Sequence, residues 1–219
     1  MNSRRPRPYV WVSWITSLLS ESDKCEWKVW TKSQFRYAKL QGDSTWDVAE
    51  WTRQHNEMVE ARAVKLRQQG FEVLVEDQNS FKLQGEKGDL AGKCDIVALK
   101  HADKYALIID EKSGKERPSD IWQVKIYVWA KRLLSLKGWH VDGEVEYRGR
   151  SEPVPMSSVD SLAVAKIAGV LKMATGEVAP RRTPSQRECS WCDIDGCPER
   201  FKGASPGNGP ESTNASNYF

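Results

Sequence analysis

Apolar positions recur at helical spacing near the start of the chain. Over residues 9–40, Trp11, Trp14, Ile15, Leu18 and Leu19 fall on one face and predict a mainly helical segment. Ser22-Asp23-Lys24-Cys25 interrupts the pattern, and residues 27–37 resume it. Gly42-Asp43-Ser44-Thr45 reads as a turn with capping residues, leading into a long helix that closes at Gly70, a residue suited to the position just past a helix C-terminus. Val48, Thr52, His55, Val59 and Leu66 share a stripe of that helix, so His55 is expected to face inward. The pattern then shortens to strand spacing. Residues 71–75 and 81–83 read as strands leading into a hairpin, whose arms are Ile96-Val97-Ala98-Leu99 and the apolar run after Lys104. A helix follows, capped by Ser119 or Asp120. Residues 139–147 alternate around Asp142-Gly143, which resembles a hairpin turn. Residues 151–158, with two prolines, read as a loop, and 159–173 as a helix closing near Gly176. From about Gly203 onward, Gly, Ser, Pro and Asn predict a disordered tail. No internal repeat is visible, and a sheet of about three to five strands with helices against it is expected.

The chemistry concentrates between residues 92 and 127. Gly92-Lys-Cys-Asp95 opens one apolar run, and Asp110-Glu111-Lys112-Ser-Gly114 ends the next. Side chains alternate along a strand, so Asp110 and Lys112 share a face and Glu111 points to the other. Asp95 and Asp110 could thus converge with Lys112. Such oxygen ligands suit Mg2+ or Mn2+, and a nearby ammonium can steady developing phosphorane charge. Asp-x-Lys is also common as a plain salt bridge on a surface hairpin. Gln123 and Tyr127 are four residues apart, stacked on one helical face and able to address one ligand together. Packing of Tyr127 with Val124, Val128 and Leu134 on the sheet would account for the tyrosine but not for Gln123.

Composition narrows the class. The chain has 219 residues, enough for one domain with a small appendage, and 39% hydrophobic content can fill a core. Charged residues at 29% and a mean hydropathy of −0.62 mark a soluble protein, and no run approaches the roughly 18 apolar residues needed to span a bilayer. No signal peptide is evident behind Arg4, Arg5 and Arg7, so a cytoplasmic location is expected. A net charge of +3 permits nucleic-acid binding without demanding it. Ten tryptophans are many for this length; most belong in a core, while a few in a basic groove could stack on bases.

Five cysteines without a secretory signal point to a reducing compartment, where clustered thiols bind metal more often than they form disulfides. Cys189, Cys192 and Cys197 form C-x2-C-x4-C, one ligand short of the usual four for structural zinc or an iron–sulfur cluster. Cys25 and Cys94 are candidates for the fourth, with His140 and His101 as outsiders. Cys94, beside Asp95 on an expected strand, would bring a cluster into the catalytic centre. Spacing alone does not choose between iron–sulfur and zinc.

Taken together, the order of these motifs resembles the PD-(D/E)XK nucleases of the RecB-like exonuclease group. It is most similar to the fourth CRISPR-associated (Cas) protein family and its phage and stand-alone relatives. The resemblance spans nearly the whole chain: an N-terminal cysteine, a histidine on an early helix, Gly-x-x-Asp, Asp-x-Lys-x-Gly about fifteen residues later, Gln-x-x-x-Tyr, and a three-cysteine C-terminal cluster. It implies an α/β fold: a restriction-endonuclease-like core with a central mixed β-sheet flanked by helices, plus an iron–sulfur subdomain joining the N- and C-terminal segments. The implied parts are an N-terminal helical segment (1–45), a nuclease core (46–176), a cysteine segment (177–202) and a tail (203–219). Metal binding by His55, Asp95, Asp110 and the Glu111 backbone carbonyl is implied, with Lys112 as the catalytic lysine. Gln123 and Tyr127 match a DNA-contacting helix that supports the active site, and Cys25, Cys189, Cys192 and Cys197 match the ligands of a 4Fe-4S cluster. The implied activity is Mg2+- or Mn2+-dependent exonucleolytic cleavage of single-stranded DNA ends, in CRISPR adaptation, phage recombination or DNA repair, with proteins of those systems as partners and no membrane. Here Asp110 is followed by Glu111, so the choice of metal-facing carboxylate rests on its two-residue distance from Lys112, and the last cysteine interval is tighter than in some relatives. No G-x-x-x-x-G-K-S/T helicase motif is present. A catalytically silent DNA- or partner-binding module, or the same nuclease with structural zinc, are the alternatives.

Overall fold

A computed structural model describes residues 3–40 and 47–203. The expected turn at 42–45, and the expected tail beyond Gly203, lie outside the described residues. The chain begins with β1 (Ser3–Arg4) and β2 (Tyr9–Trp11), then α1 (Val12–Leu19), α2 (Glu26–Gln34) and β3 (Phe35–Arg36). The helix expected over 9–40 is therefore two helices between short strands. Tyr9-Val10-Trp11 are β-formers and find a parallel partner later in the chain, which overrides the helical spacing. The face that α1 buries is Val12, Ile15, Thr16 and Leu19, while Trp11, Trp14 and Leu18 are only half-buried.

Next comes α3 (Val48–Gln68), capped by Asp47, whose carboxylate accepts the Glu50 N–H, and ended by Gly70 at φ +82°. Only Val59, Ala63 and Leu66 are buried along it. Its C-terminal half lies over Ile96, Ala98 and Ile109, so Val48 and Thr52, expected on the apolar stripe, are exposed. Then follow β4 (Glu72–Val75), a 3-10 turn (Glu76–Asn79), β5 (Ser80–Gln84), β6 (Asp89–Lys93), β7 (Ile96–Lys100) and β8 (Tyr105–Lys112). The remainder is α4 (Pro118–Leu134), β9 (His140–Tyr147), β10 (Arg150–Val154), α5 (Ser161–Thr175) and α6 (Gln186–Ser190).

A five-stranded sheet in the order β10-β9-β8-β7-β4 forms the centre, with β8 and β9 parallel and the other pairs antiparallel. A second sheet, β2-β6-β5, stands beside it. The central sheet is thus mixed and covered by helices, as expected. On one face Val59 and Leu66 of α3 meet Ile96, Ala98 and Ile109; on the other Val124 and Val128 of α4 meet Val97, Ile108, Val141 and Val145. No helix among the described residues is long and apolar enough to cross a membrane.

Four local expectations are corrected. Asp142-Gly143 is not a turn: β9 runs straight through it, because a Cβ at Gly143 would overlap Val124 Cγ1 and the bare backbone lets α4 pack close. The turn lies further on, at Gly149 (φ +80°), and the loop expected at 151–158 begins as β10. Its Pro153 is tolerated because β10 is an edge strand with one side unpaired. Neither Ser119 nor Asp120 is the N-cap of α4. Pro118 occupies the first turn, and the Asp120 carboxylate reaches back to accept the Arg117 N–H at 3.0 Å. Leu134, expected to pack beside Tyr127, is exposed.

The two ends of the described chain interlock. Trp30 Nε1–H donates to Gly176 O at 2.8 Å, Gln34 Nε2–H donates to Ala174 and Gly176 carbonyls, and Lys39 bridges Ile194. Lys32 Nζ lies 2.8 Å from Asp193 Oδ1.

Candidate active site and cysteine pocket

Both β4→β5 and β6→β7 cross from one sheet to the other, and they do so side by side. Val75 pairs with Ile96, so the next residue outward on one strand, Glu76, stands opposite Asp95 on the other. Glu76 N–H donates to Asp95 O at 2.9 Å, and Asn79 Nδ2–H fastens the same corner to Leu74 O. Beside the corner, β8 ends in Asp110-Glu111-Lys112.

The alternation along β8 divides its charged end between two faces. Asp110 and Lys112 lie on the α4 side: Lys112 Nζ is 2.6 Å from Asp110 Oδ2 and donates to Gln123 Oε1 at 3.3 Å. Gln123 Nε2–H donates to Asp110 Oδ1 at 3.0 Å and to Tyr127 Oη at 2.9 Å. The Asp110–Lys112 pair is not the exposed salt bridge of an ordinary hairpin, since Asp110 is 1% exposed and Tyr127 2%. Burial pushes the Asp110 carboxyl above its usual range, and the Lys112 ammonium only partly offsets this. Burial alone would lower Lys112, but the attraction of Asp110, Asp120 and Asp95 outweighs it and keeps the ammonium charged. Around this one lysine the carboxylates are in excess, and a divalent cation would offset that excess.

On the other side, His55 Nε2 is 3.5 Å from Glu76 Oε1 and 3.5 Å from Asp95 Oδ1. These three residues are the one group of His, Cys, Asp and Glu among the described residues with ligand atoms all within 4.8 Å of one another. Burial disfavours a charged imidazole, yet contacts with Asp95 and Glu76 push the His55 pKa up to about 10. The Trp51 ring stacks on His55 at 5.1 Å and 10°, and its Nε1–H donates to Ser113 Oγ at 3.0 Å, tying α3 to the loop after Lys112. Asp95 Oδ2 accepts the Glu111 N–H at 2.7 Å. The Glu111 side chain is 3% exposed with Oε1 lacking a hydrogen-bond partner, and burial, with Glu146 and Asp95 nearby, raises its pKa to about 8.

The structure thus gathers His55, Asp95, Asp110, Glu111, Lys112, Gln123 and Tyr127 at one corner, but Asp110 is not in the close group with His55. The Glu111 backbone reaches Asp95 through its N–H. Glu76 and Trp51 are the residues that sequence reasoning missed. A signal for Glu76 existed: residues 71–75 are an apolar strand ending in an acidic pair, the same shape as the end of β8. Glu76 also has a positive φ of 48°, uncommon outside glycine and frequent at functional sites.

The cysteines sit elsewhere. Cys25, Cys189, Cys192 and Cys197 line one pocket together with Trp27, Lys28, Arg182 and Arg200. No three of their sulfurs lie mutually within 4.8 Å. Glu188 fastens the pocket, its Oε1 accepting the Lys24 and Cys25 N–H groups at 2.6 and 3.0 Å. Phe201 N–H donates to Cys189 Sγ at 3.4 Å. Cys94 is not part of this pocket; it is fully buried in the main core. His101 and His140 pair instead with Glu72 and Asp142.

Between the cysteine pocket and the start of α4 lies a cleft of about 440 Å³. Lys28, Lys32, Arg117, Arg187, Trp14 and Trp191 line it, with Asp23 and Asp193 among the cations.

Among solved structures, the crystal structure of SSO0001 aligns over 87% of this chain and 85% of that chain, at 13% sequence identity and a TM-score of 0.43. No curated protein matches the chain. Residues 16–197 match the family model of the PD-(D/E)XK nuclease superfamily, and the chain belongs to that superfamily.

Proposed function

We propose that this protein is a Mg2+- or Mn2+-dependent deoxyribonuclease that hydrolyses phosphodiester bonds at single-stranded DNA ends. The observation that carries the reading is the buried Asp110–Lys112–Gln123 network standing next to Asp95, with His55 on the other side of it. The donors are one imidazole nitrogen and several carboxylates in a carboxylate-rich corner, a set suited to Mg2+ or Mn2+. Asp95, Asp110 and His55 would hold the cation, with the Glu111 carbonyl as a further ligand. When bound, it supplies positive charge to the scissile phosphate and lowers the pKa of a coordinated water. Lys112 then orients the attacking water. Its ammonium is aimed by two fixed partners, Asp110 Oδ2 and Gln123 Oε1. Tyr127 and Gln123 keep that geometry from α4, and Trp51 holds the His55 ring plane. A module that only bound DNA would have no need for this buried lysine and its carboxylates.

A single-stranded substrate is favoured by the cleft at the start of α4. Four cations outnumber two carboxylates there, and two indole rings can take unstacked bases. Such end-trimming would fit CRISPR adaptation, phage recombination or DNA repair, with proteins of those systems as partners. Four cysteines on one pocket fit a 4Fe-4S cluster. The cluster would fasten the chain ends beside the cleft.

The test is digestion of end-labelled single and double strands by wild type and Lys112→Ala across Mg2+ and Mn2+ titrations. The variant is expected to lose at least about 100-fold in rate, on the scale of a lost charge-stabilising donor. Full activity in the variant, or tight DNA binding with no cleavage by the wild type under either metal, would overturn the proposal. Iron and sulfide at about four each per chain are expected from anaerobic purification; stoichiometric zinc instead would replace the cluster.

A further inference from the structure

We infer that Glu76 is a direct ligand of the catalytic cation, joining His55 and Asp95 in a set on the α3 side of the sheet corner. The inference rests on the metal-dependent reading above and adds a residue to it. Glu76 Oε1 and Asp95 Oδ1 stand at equal distances, 3.5 Å, from His55 Nε2. Those spacings are long for hydrogen bonds but natural for three donors around a common centre. Asp95 is 9% exposed, and the oxygen it turns toward His55 is not the one that accepts the Glu111 N–H. Asp110, by contrast, spends both oxygens on Lys112 and Gln123. The side chains that already converge are therefore His55, Glu76 and Asp95.

The backbone supports the same assignment. Glu76 is held at positive φ by its N–H bond to Asp95 O and by the Asn79 clasp on Leu74 O, so the turn is built to present this side chain at the corner. Its second oxygen, Oε2, lies 2.6 Å from Lys93 Nζ, which also approaches Asp77. The carboxylate thus has one oxygen on a cation supplied by the chain and one facing His55. His55, Glu76 and Asp95 would together hold a divalent ion at this corner.

Mn2+ binding, followed by electron paramagnetic resonance and calorimetry without DNA, tests this apart from activity. Wild type, His55→Ala, Glu76→Gln and Lys93→Met are compared, with circular dichroism confirming the fold. A ligand role predicts that Glu76→Gln weakens Mn2+ binding about tenfold or more. Lys93→Met is expected to leave it unchanged or tighten it, because a competing cation has gone. Glu76→Gln binding Mn2+ like the wild type, while His55→Ala loses it, overturns the role of Glu76 and leaves the nuclease reading standing. Equal weakening in Glu76→Gln and Lys93→Met also overturns it, because the ion pair would then act only by shaping the turn. A wild type that binds no Mn2+ overturns both.

Discussion

Gly143→Ala tests how α4 is held against the sheet. A Cβ added there overlaps Val124 Cγ1 and comes within 3.1 Å of Val128 Cγ2, in a core where Val124 and Val128 are fully buried. Overpacking of this kind costs about 1–3 kcal/mol, offset by about 0.5–1 kcal/mol from the reduced freedom of the unfolded chain. The net expectation is a loss of about 1–2 kcal/mol. Val124→Ala alone removes two carbons at about 0.8 kcal/mol each and leaves a cavity, a loss of about 2–3 kcal/mol. In the double variant the new methyl fills the space that Val124 vacates, so the combined loss should be smaller than the sum by about 2 kcal/mol. Urea denaturation of all four proteins measures this. Activity should follow the same cycle, because Gln123 is the neighbour of Val124 and a displaced α4 draws it from Asp110. Additivity within about 0.5 kcal/mol would refute the argument that the bare backbone of Gly143 sets the position of α4.

Other expectations follow from the same geometry. Trp51→Ala, which removes the ring stacked on His55 and the bond to Ser113, should weaken Mn2+ affinity about 10- to 100-fold with the fold retained, as read by calorimetry. Cys25→Ser and Cys189→Ser should each lose the visible absorption and the iron content of anaerobically purified protein, whereas Cys94→Ala, in the core, should lower stability and leave iron unchanged. Arg117→Ala should weaken single-strand binding and reduce the slope of log affinity against log salt by about 0.7, measured by fluorescence anisotropy.

The long apolar segments were legible in the sequence because their periods are set by two packed faces. The hairpin of β7 and β8 is an example, and its alternation also divided Asp110 and Lys112 from Glu111. What was hidden depended on contacts distant in sequence. Tyr9–Trp11 reads as helix until β6 offers it a parallel partner, and Asp142-Gly143 reads as a turn until α4 is placed over it. Glu76 lay in a turn between two strands of different sheets, and nothing local says that such a turn meets Asp95. The pairing of Val75 with Ile96 brings them together.

The interlock of α2 with the cysteine segment has a consequence for how the protein is made. Cys25 and the Glu188 that fastens it are 163 positions apart, so synthesis at about 5–20 residues per second separates their appearance by roughly 10–30 s. For that interval Trp27, Trp30 and the Cys25 thiol await their partners on the growing chain. Closing so long a loop by a shared cluster would remove about 5 kcal/mol of unfolded-chain entropy in one late event. With the proposed cluster, maturation is expected to be limited by its supply once Cys197 has been made, and starvation for iron should yield full-length chains that proteases cut first near Cys25 and the cysteine segment.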